Sequence, residues 1–185
     1  MVIEPGFCFL WAILALVLPL KWLGAVFLAA VLHELGHFLA LRLFGVVPSG
    51  FRLGMAGAEL EIPELSYQQE FVCALAGPTV SFSLLLLRRW FPQLSVCGFV
   101  HGGFNLLPIY PLDGGRMLRA IAAPLLSPGG ADKLLTWVKY GVLGLLVLVF
   151  AILHWWEPVA YLLLLVSAKG LFGKIPCKRD KLRVQ

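Results

Sequence analysis

Long apolar runs dominate the chain, and short polar turns interrupt them. A run of roughly 17–25 apolar residues is long enough to cross a bilayer as a helix. The pattern predicts six apolar segments in a single domain, the first of them short, with no internal repeat and no long linker. They are residues 7–20, 22–44, 70–87, 91–110, 134–153 and 157–172.

The composition supports this pattern. Of the 185 residues, 60% are hydrophobic and 14% are charged, whereas a typical soluble domain is about 45–50% apolar and about 25% charged. A chain of this size cannot hide such an apolar excess inside one globule. We therefore expect no water-soluble enzyme and no nucleic-acid partner. The predicted fold is an all-α, polytopic membrane protein of about six transmembrane helices, with the lipid bilayer as its main partner.

Charge predicts the orientation. The formal net charge is +5, and if the spans alternate, ten Lys and Arg residues fall on the side of the C-terminal tail against three on the other side. Basic residues favour the cytoplasmic side of a membrane. We predict a multi-pass protein with both termini in the cytoplasm, in which residues 1–173 form the membrane domain and residues 174–185 a basic tail.

Residues 50–62 show a different period. Apolar and polar residues alternate on both sides of a glycine-rich turn, which predicts a β-hairpin-like loop at the cytoplasmic membrane surface. Such a hairpin can hold an extended peptide by strand addition; the alternative is a loop that only rests on the membrane. The candidate substrate-binding residues are Phe51, Leu53, Leu60 and Ile62.

The second apolar segment contains the motif His33-Glu34-Leu35-Gly36-His37. Two histidines four residues apart leave the same face of a helix and can hold one zinc ion. Glu34 is placed beside the ion, where a carboxylate can take a proton from water. Ionisable groups at membrane depth are costly, and their default interpretation is functional. The alternative is a polar cluster that only packs helices together.

A catalytic zinc site usually has three protein ligands, and Asp113 is the leading candidate for the third. It lies within a stretch in which Pro108, Pro111, Gly114 and Gly115 interrupt the helical pattern. Broken helices occur at membrane depth where they line a cavity. The alternative for Asp113 is a capping role at the helix that follows Pro111.

These motifs together resemble one known family. The His33–His37 motif, Ala76-Gly77-Pro78, and the run from Asn105 through Pro108, Pro111 and Asp113 to Gly114 are similar to the site-2 protease family of intramembrane zinc metalloproteases. The resemblance covers residues 22–120, and it is greatest to the bacterial stage IV sporulation protein FB branch. Many relatives carry an asparagine three residues after Ala-Gly-Pro, where this chain has Ser81. Any role of that asparagine is therefore not carried over.

The resemblance implies His33, His37 and Asp113 as ligands of one Zn²⁺ per chain and Glu34 as the catalytic acid and base. Asn105 would donate to the oxyanion or orient the substrate, or else only pack helices. His101, four residues before Asn105, faces the same cavity as an outer or alternative ligand, or bonds to a neighbouring helix backbone.

The implied function is peptide-bond hydrolysis in or near the bacterial cell membrane. The implied substrate is a membrane-associated protein such as a sigma-factor precursor or an anti-sigma factor, as in sporulation, and an inhibitory membrane partner is an expected regulator. The alternatives are a zinc-binding membrane transporter or sensor without proteolysis, and a catalytically dead scaffold. Glu34 argues against transport, because a transport site needs ligands and no additional carboxylate beside them.

Overall fold

Helices make up most of the structure. The computed structural model describes residues 2–3, 5–47, 50–54, 57–61 and 63–152. The described helices are α1 (Pro5–Val17), α2 (Leu20–Leu43), α3 (Tyr67–Ser83) with a 3₁₀ extension (Leu84–Leu87), α4 (Pro92–Asn105), α5 (Asp113–Leu126) and α6 (Pro128–Ile152).

Helices occupy five of the six predicted apolar segments. Two of them, Leu20–Leu43 and Tyr67–Leu87, are long and apolar enough to cross a membrane. The total of six spans stays a prediction, since residues 157–172 and the tail at 174–185 lie outside the described residues. Large apolar side chains are exposed along the helices, among them Leu16, Leu43 and Leu86, which is the surface that a lipid environment accommodates.

A small sheet lies beside the helices, so the fold is not purely α-helical. Strand β2 (Gly50–Gly54) pairs antiparallel with β3 (Gly57–Glu61), in the stretch whose alternation predicts a hairpin. Strand β1 (Val2–Ile3) adds to β2 in parallel, which the sequence pattern does not predict. The order β1-β2-β3 leaves one edge of β3 without a partner among the described strands.

Helix α2 lies at the centre of the helix packing. It contacts α3 and α4, while α3 also contacts α5, and α5 contacts α6. Its buried face is a stripe of residues three or four apart, so it follows one side of the helix. The buried residues are small residues, two histidines and one leucine: Ala25, Ala29, His33, Gly36, His37, Ala40 and Leu41.

Two glycines on α4 allow this helix to approach α3 closely. A Cβ atom at Gly98 would lie 2.8 Å from the Ser81 carbonyl oxygen, and one at Gly102 would lie 2.8 Å from the Ser81 Cβ. Small residues four apart let two helix backbones come together where lipid provides no hydrophobic driving force. Ser81 is therefore held between α4 on one side and the histidine face of α2 on the other.

A buried group of opposite charges connects α3, α5 and α6. Arg119 of α5 is buried, with its Nε atom 3.5 Å from Asp132 of α6 and its Nη1 atom 3.9 Å from Glu70 of α3. Three helices thus share one buried guanidinium. Breaking such a cluster by removing one partner leaves an uncompensated buried charge.

We predict that Gly98→Ala destabilises the protein, whereas Gly103→Ala does not. Both changes add one methyl group to α4, but a Cβ at Gly103 meets nothing within 4 Å. Overpacking costs about 1–3 kcal/mol, so the thermal unfolding midpoint in detergent should fall only for Gly98→Ala. Equal midpoints for the two variants would contradict the close α3–α4 contact.

Candidate zinc site

Three buried side chains from two helices converge at one point. The Nε2 atom of His33 lies 3.0 Å from Asp113 Oδ2, and the Nε2 atom of His37 lies 3.1 Å from the same oxygen. The two Nε2 atoms are 3.1 Å apart. Within the part of the chain that the structure describes, this is the only group of three or more His, Cys, Asp or Glu residues able to hold one metal ion.

The far nitrogen of each ring is fixed by helix α3. His37 Nδ1 donates a hydrogen bond of 2.7 Å to the Cys73 carbonyl oxygen, and His33 Nδ1 is 2.8 Å from the hydroxyl of Ser81. Because a carbonyl oxygen only accepts, Nδ1 of His37 carries the hydrogen, and in the neutral ring Nε2 keeps its lone pair. This is the arrangement by which proteins orient histidine ligands of metals.

Asp113 reaches the histidines because the chain folds tightly just before α5. A Cβ at Gly114 would lie 2.6 Å from the Leu107 carbonyl oxygen, and one at Gly115 would lie 2.7 Å from that of Ile109. Only glycine lets the first turn of α5 lie directly against this segment. Arg116, one turn later, places its Nη1 atom 3.5 Å from Asp113 Oδ1, so one carboxylate oxygen faces the histidines and the other faces the guanidinium.

The alternative role of Asp113 as a helix cap does not fit this geometry. Asp113 is the first residue of α5, the capping position is Leu112, and no side chain caps the helix. The Asp113 side chain is 6% exposed and points at the histidines.

The three donor atoms fit a zinc ion. Ligand atoms about 2.0–2.1 Å from a tetrahedral zinc lie roughly 3.3 Å apart, close to the separations of 3.0–3.1 Å found here. Two imidazole nitrogens and one carboxylate oxygen are also a donor set that zinc accepts. A fourth position then remains for water.

Gly77 of α3 lies directly against the two histidine rings. A Cβ atom there would lie 2.8 Å from His33 Nε2 and closer still to His37 Nε2. Every larger residue would clash with these two ligand nitrogens. The middle residue of the Ala76-Gly77-Pro78 motif is therefore explained by its close contact with the histidine pair.

The other predicted polar site residues lie on α2 and α4. Glu34 is part-buried on α2, next in sequence to His33. Asn105, the last residue of α4, donates from Nδ2 to the His101 carbonyl oxygen at 3.0 Å, so this amide nitrogen faces its own helix. The His101 ring contacts that of His33 with centroids 4.7 Å apart, rather than bonding to a backbone.

The hairpin candidates lie on the strands. Phe51 and Leu53 are on β2 and Leu60 is on β3, where Phe51 pairs with Leu60. Ile62 lies outside the described residues. Their role in substrate binding stays a prediction.

The sequence predicts helix α3 but not the contacts that its side chains make with the site. Ser81 stands where the family pattern has an asparagine, and its hydroxyl orients His33. Cys73, Gly77 and Ser81 are four residues apart, so all three face α2. Small residues at this spacing in an apolar helix are the signal that predicts such a contact.

The chain is similar to known proteins both in sequence and in fold. A zinc metalloprotease of Methanocaldococcus jannaschii is 31% identical over 177 residues, which cover 88% of this chain and 48% of that protein. The chain thus spans about half the length of this curated relative. A solved structure, the site-2 protease from the same organism, has a TM-score of 0.69 at 24% identity and covers 92% of this chain and 88% of that one. No protein-family model matches the chain.

The similar relative is named a zinc metalloprotease, and the chain shares the fold of the site-2 protease structure. Neither comparison distinguishes the branches of the site-2 protease family, so the sporulation branch stays a prediction. The His33, His37 and Asp113 cluster fits the zinc that the relative's name indicates.

We predict that Gly77→Ala abolishes zinc binding. The added methyl group would clash with the ligand nitrogens of both histidines. The zinc content of the purified protein, measured by metal analysis, should therefore fall from about one zinc per chain to near zero. Gly24→Ala on α2, where a Cβ meets nothing within 4 Å, is the matched control and should keep its zinc. Full zinc content in Gly77→Ala would show that the ion lies elsewhere.

We predict that Ser81→Ala weakens zinc binding without removing it. The change deprives His33 Nδ1 of its partner, and loss of such outer contacts typically costs about 10–100-fold in metal affinity. Competition with a chelator measures the effect. Ser83→Ala is the control, because the Ser83 hydroxyl bonds only to a carbonyl of its own helix; identical affinities in the two variants would contradict the assignment.

Proposed function

We propose that the chain is an intramembrane zinc metalloprotease that hydrolyses a peptide bond in or near the membrane. The observation that carries the proposal is the convergence of His33, His37 and Asp113 on one buried point, with Glu34 next to the first ligand in sequence. An apolar helix face gains nothing from such residues unless they hold an ion.

Each residue has a chemical task in this proposal. When bound, zinc lowers the pKa of a water molecule towards neutrality and polarises the substrate carbonyl. Glu34 accepts the proton of the attacking water and delivers it to the leaving amine. Asn105 contributes a polar group near the scissile bond, where an amide donor stabilises the developing negative charge.

The substrate has to be unfolded locally. A helix hides its carbonyl groups in hydrogen bonds to the residue four positions on, so the segment to be cut must be extended. The hairpin of β2 and β3 offers strand addition for this purpose, with Phe51, Leu53, Leu60 and Ile62 as the side chains that select the substrate. One edge of β3 has no partner among the described strands, which supports this role.

The finer assignment follows from the resemblance to the sporulation branch. We propose a membrane-associated protein as the substrate, such as a sigma-factor precursor or an anti-sigma factor, and an inhibitory membrane protein as a regulator. We place the chain in the bacterial cell membrane as a multi-pass protein with both termini in the cytoplasm. The distribution of Lys and Arg supports this orientation.

We predict that Glu34→Gln retains about one zinc per chain but loses cleavage, because an amide cannot accept the proton of the attacking water. The rate should fall about 10²–10⁴-fold. The measurement is co-expression with a membrane-tethered sigma-factor precursor, with shortening followed on a gel, together with zinc analysis of the purified variant. Glu64→Gln, an exposed position before α3, is the matched control.

The same experiment separates the rival functions. Full cleavage by Glu34→Gln would exclude the proposed mechanism. Zinc bound by the wild type without cleavage of any membrane-tethered substrate would favour a transporter, a sensor or an inactive scaffold.

A further inference from the structure

His101 is the one histidine of the described residues that the proposed mechanism does not use. It lies on α4, part-buried, with its ring edge-on to the ring of His33 at an interplanar angle of 86° and a centroid distance of 4.7 Å. No described residue forms a hydrogen bond with either of its ring nitrogens. An imidazole always carries at least one N–H donor, so a donor lies beside the metal ligands without a hydrogen-bond partner among the described residues.

Packing fixes the distance between His101 and the zinc site. The next residue, Gly102, lies so close to α3 that its Cβ would be 2.8 Å from that of Ser81. Ser81 in turn contacts His33 Nδ1 at 2.8 Å. The position of the His101 ring is thus set by the same α3–α4 contact that orients His33, which makes it a preorganised group.

Asn105, the other candidate donor on α4, is oriented differently. Its amide nitrogen donates to the His101 carbonyl oxygen, one turn back along its own helix. One of its two amide hydrogens is therefore used within α4. The ring of His101, in contrast, is in direct contact with a zinc ligand.

We propose that an N–H group of the His101 ring donates a hydrogen bond to the carbonyl oxygen of the peptide bond that is cut. This inference rests on the proposed function. When water adds to the carbonyl carbon, the electrons of the C=O π bond move to the oxygen, and the proton of the water goes to Glu34. When the C–N bond breaks, Glu34 returns that proton to the leaving amine. His101 stabilises the oxygen in between and keeps its own proton throughout.

The decisive variants are His101→Phe and His101→Gln. Phenylalanine keeps the ring-to-ring contact with His33 but has no N–H, whereas glutamine restores a donor on a side chain of similar reach. For His101→Phe we expect one zinc per chain and a KM within about threefold of wild type, with kcat lowered about 10²–10³-fold, as for loss of one oxyanion donor. His101→Gln should recover at least part of the lost kcat.

A binding measurement tests the same contact without catalysis. A peptidyl hydroxamate binds zinc through a carbonyl oxygen that needs the same donor, and its affinity for the zinc-loaded protein can be measured by calorimetry in detergent. We expect His101→Phe to bind it about tenfold more weakly, the effect of losing a hydrogen bond to a polarised oxygen. His101→Gln should bind it more tightly than His101→Phe. Val100→Phe, a change at an exposed position of the same helix, should match wild type in both assays.

The outcomes separate the two proposals. Wild-type kcat and hydroxamate affinity in zinc-loaded His101→Phe would overturn the role of His101. Loss of zinc in that variant would also overturn it, since His101 would then act only through His33. If Glu34→Gln abolishes cleavage while His101→Phe does not, only the inference about His101 fails. If Glu34→Gln cleaves normally, the proposed function fails first.

Discussion

The structure depends on keeping three ionisable side chains in an apolar interior. His33, His37 and Asp113 are each buried, in a chain in which 60% of the residues are hydrophobic. Charged or polar groups in such a place cost free energy unless they are paired or bind a metal. Here they face one another at 3.0–3.1 Å, and a shared cation would resolve the crowding of two imidazole nitrogens and a carboxylate oxygen.

Four glycines, which have no side chain, are as important to the site as the ligands themselves. Gly77 lies against the two histidine rings, Gly102 allows α4 to reach Ser81, and Gly114 and Gly115 let the start of α5 lie against the preceding segment. Each of these glycines serves a close approach of backbone to a neighbouring element. The site is therefore built by four helices at once, and an added methyl group at any of these four glycines would clash with a neighbouring part of the site.

The sequence predicts those parts of the site that follow from helical spacing. His33 and His37 share a face because they are four residues apart, and Glu34 follows from the same motif. Asp113 lies 76 positions beyond His37, and spacing alone says nothing about contacts so distant along the chain, so the interrupted helical pattern and the family resemblance indicate it. The small residues Cys73, Gly77 and Ser81 at helical spacing indicate a close contact of α3, but they do not reveal that Ser81 is the partner of His33. Strand β1 is only two residues long, too short for any period to appear.

The most direct test of the zinc site is X-ray absorption at the zinc edge on the purified wild-type protein. The structure predicts a first shell of nitrogen and oxygen at about 2.0–2.1 Å, with the outer-shell scattering of two imidazole rings and no sulfur. A sulfur ligand at about 2.3 Å, a single imidazole, or a protein without zinc would contradict the site formed by His33, His37 and Asp113.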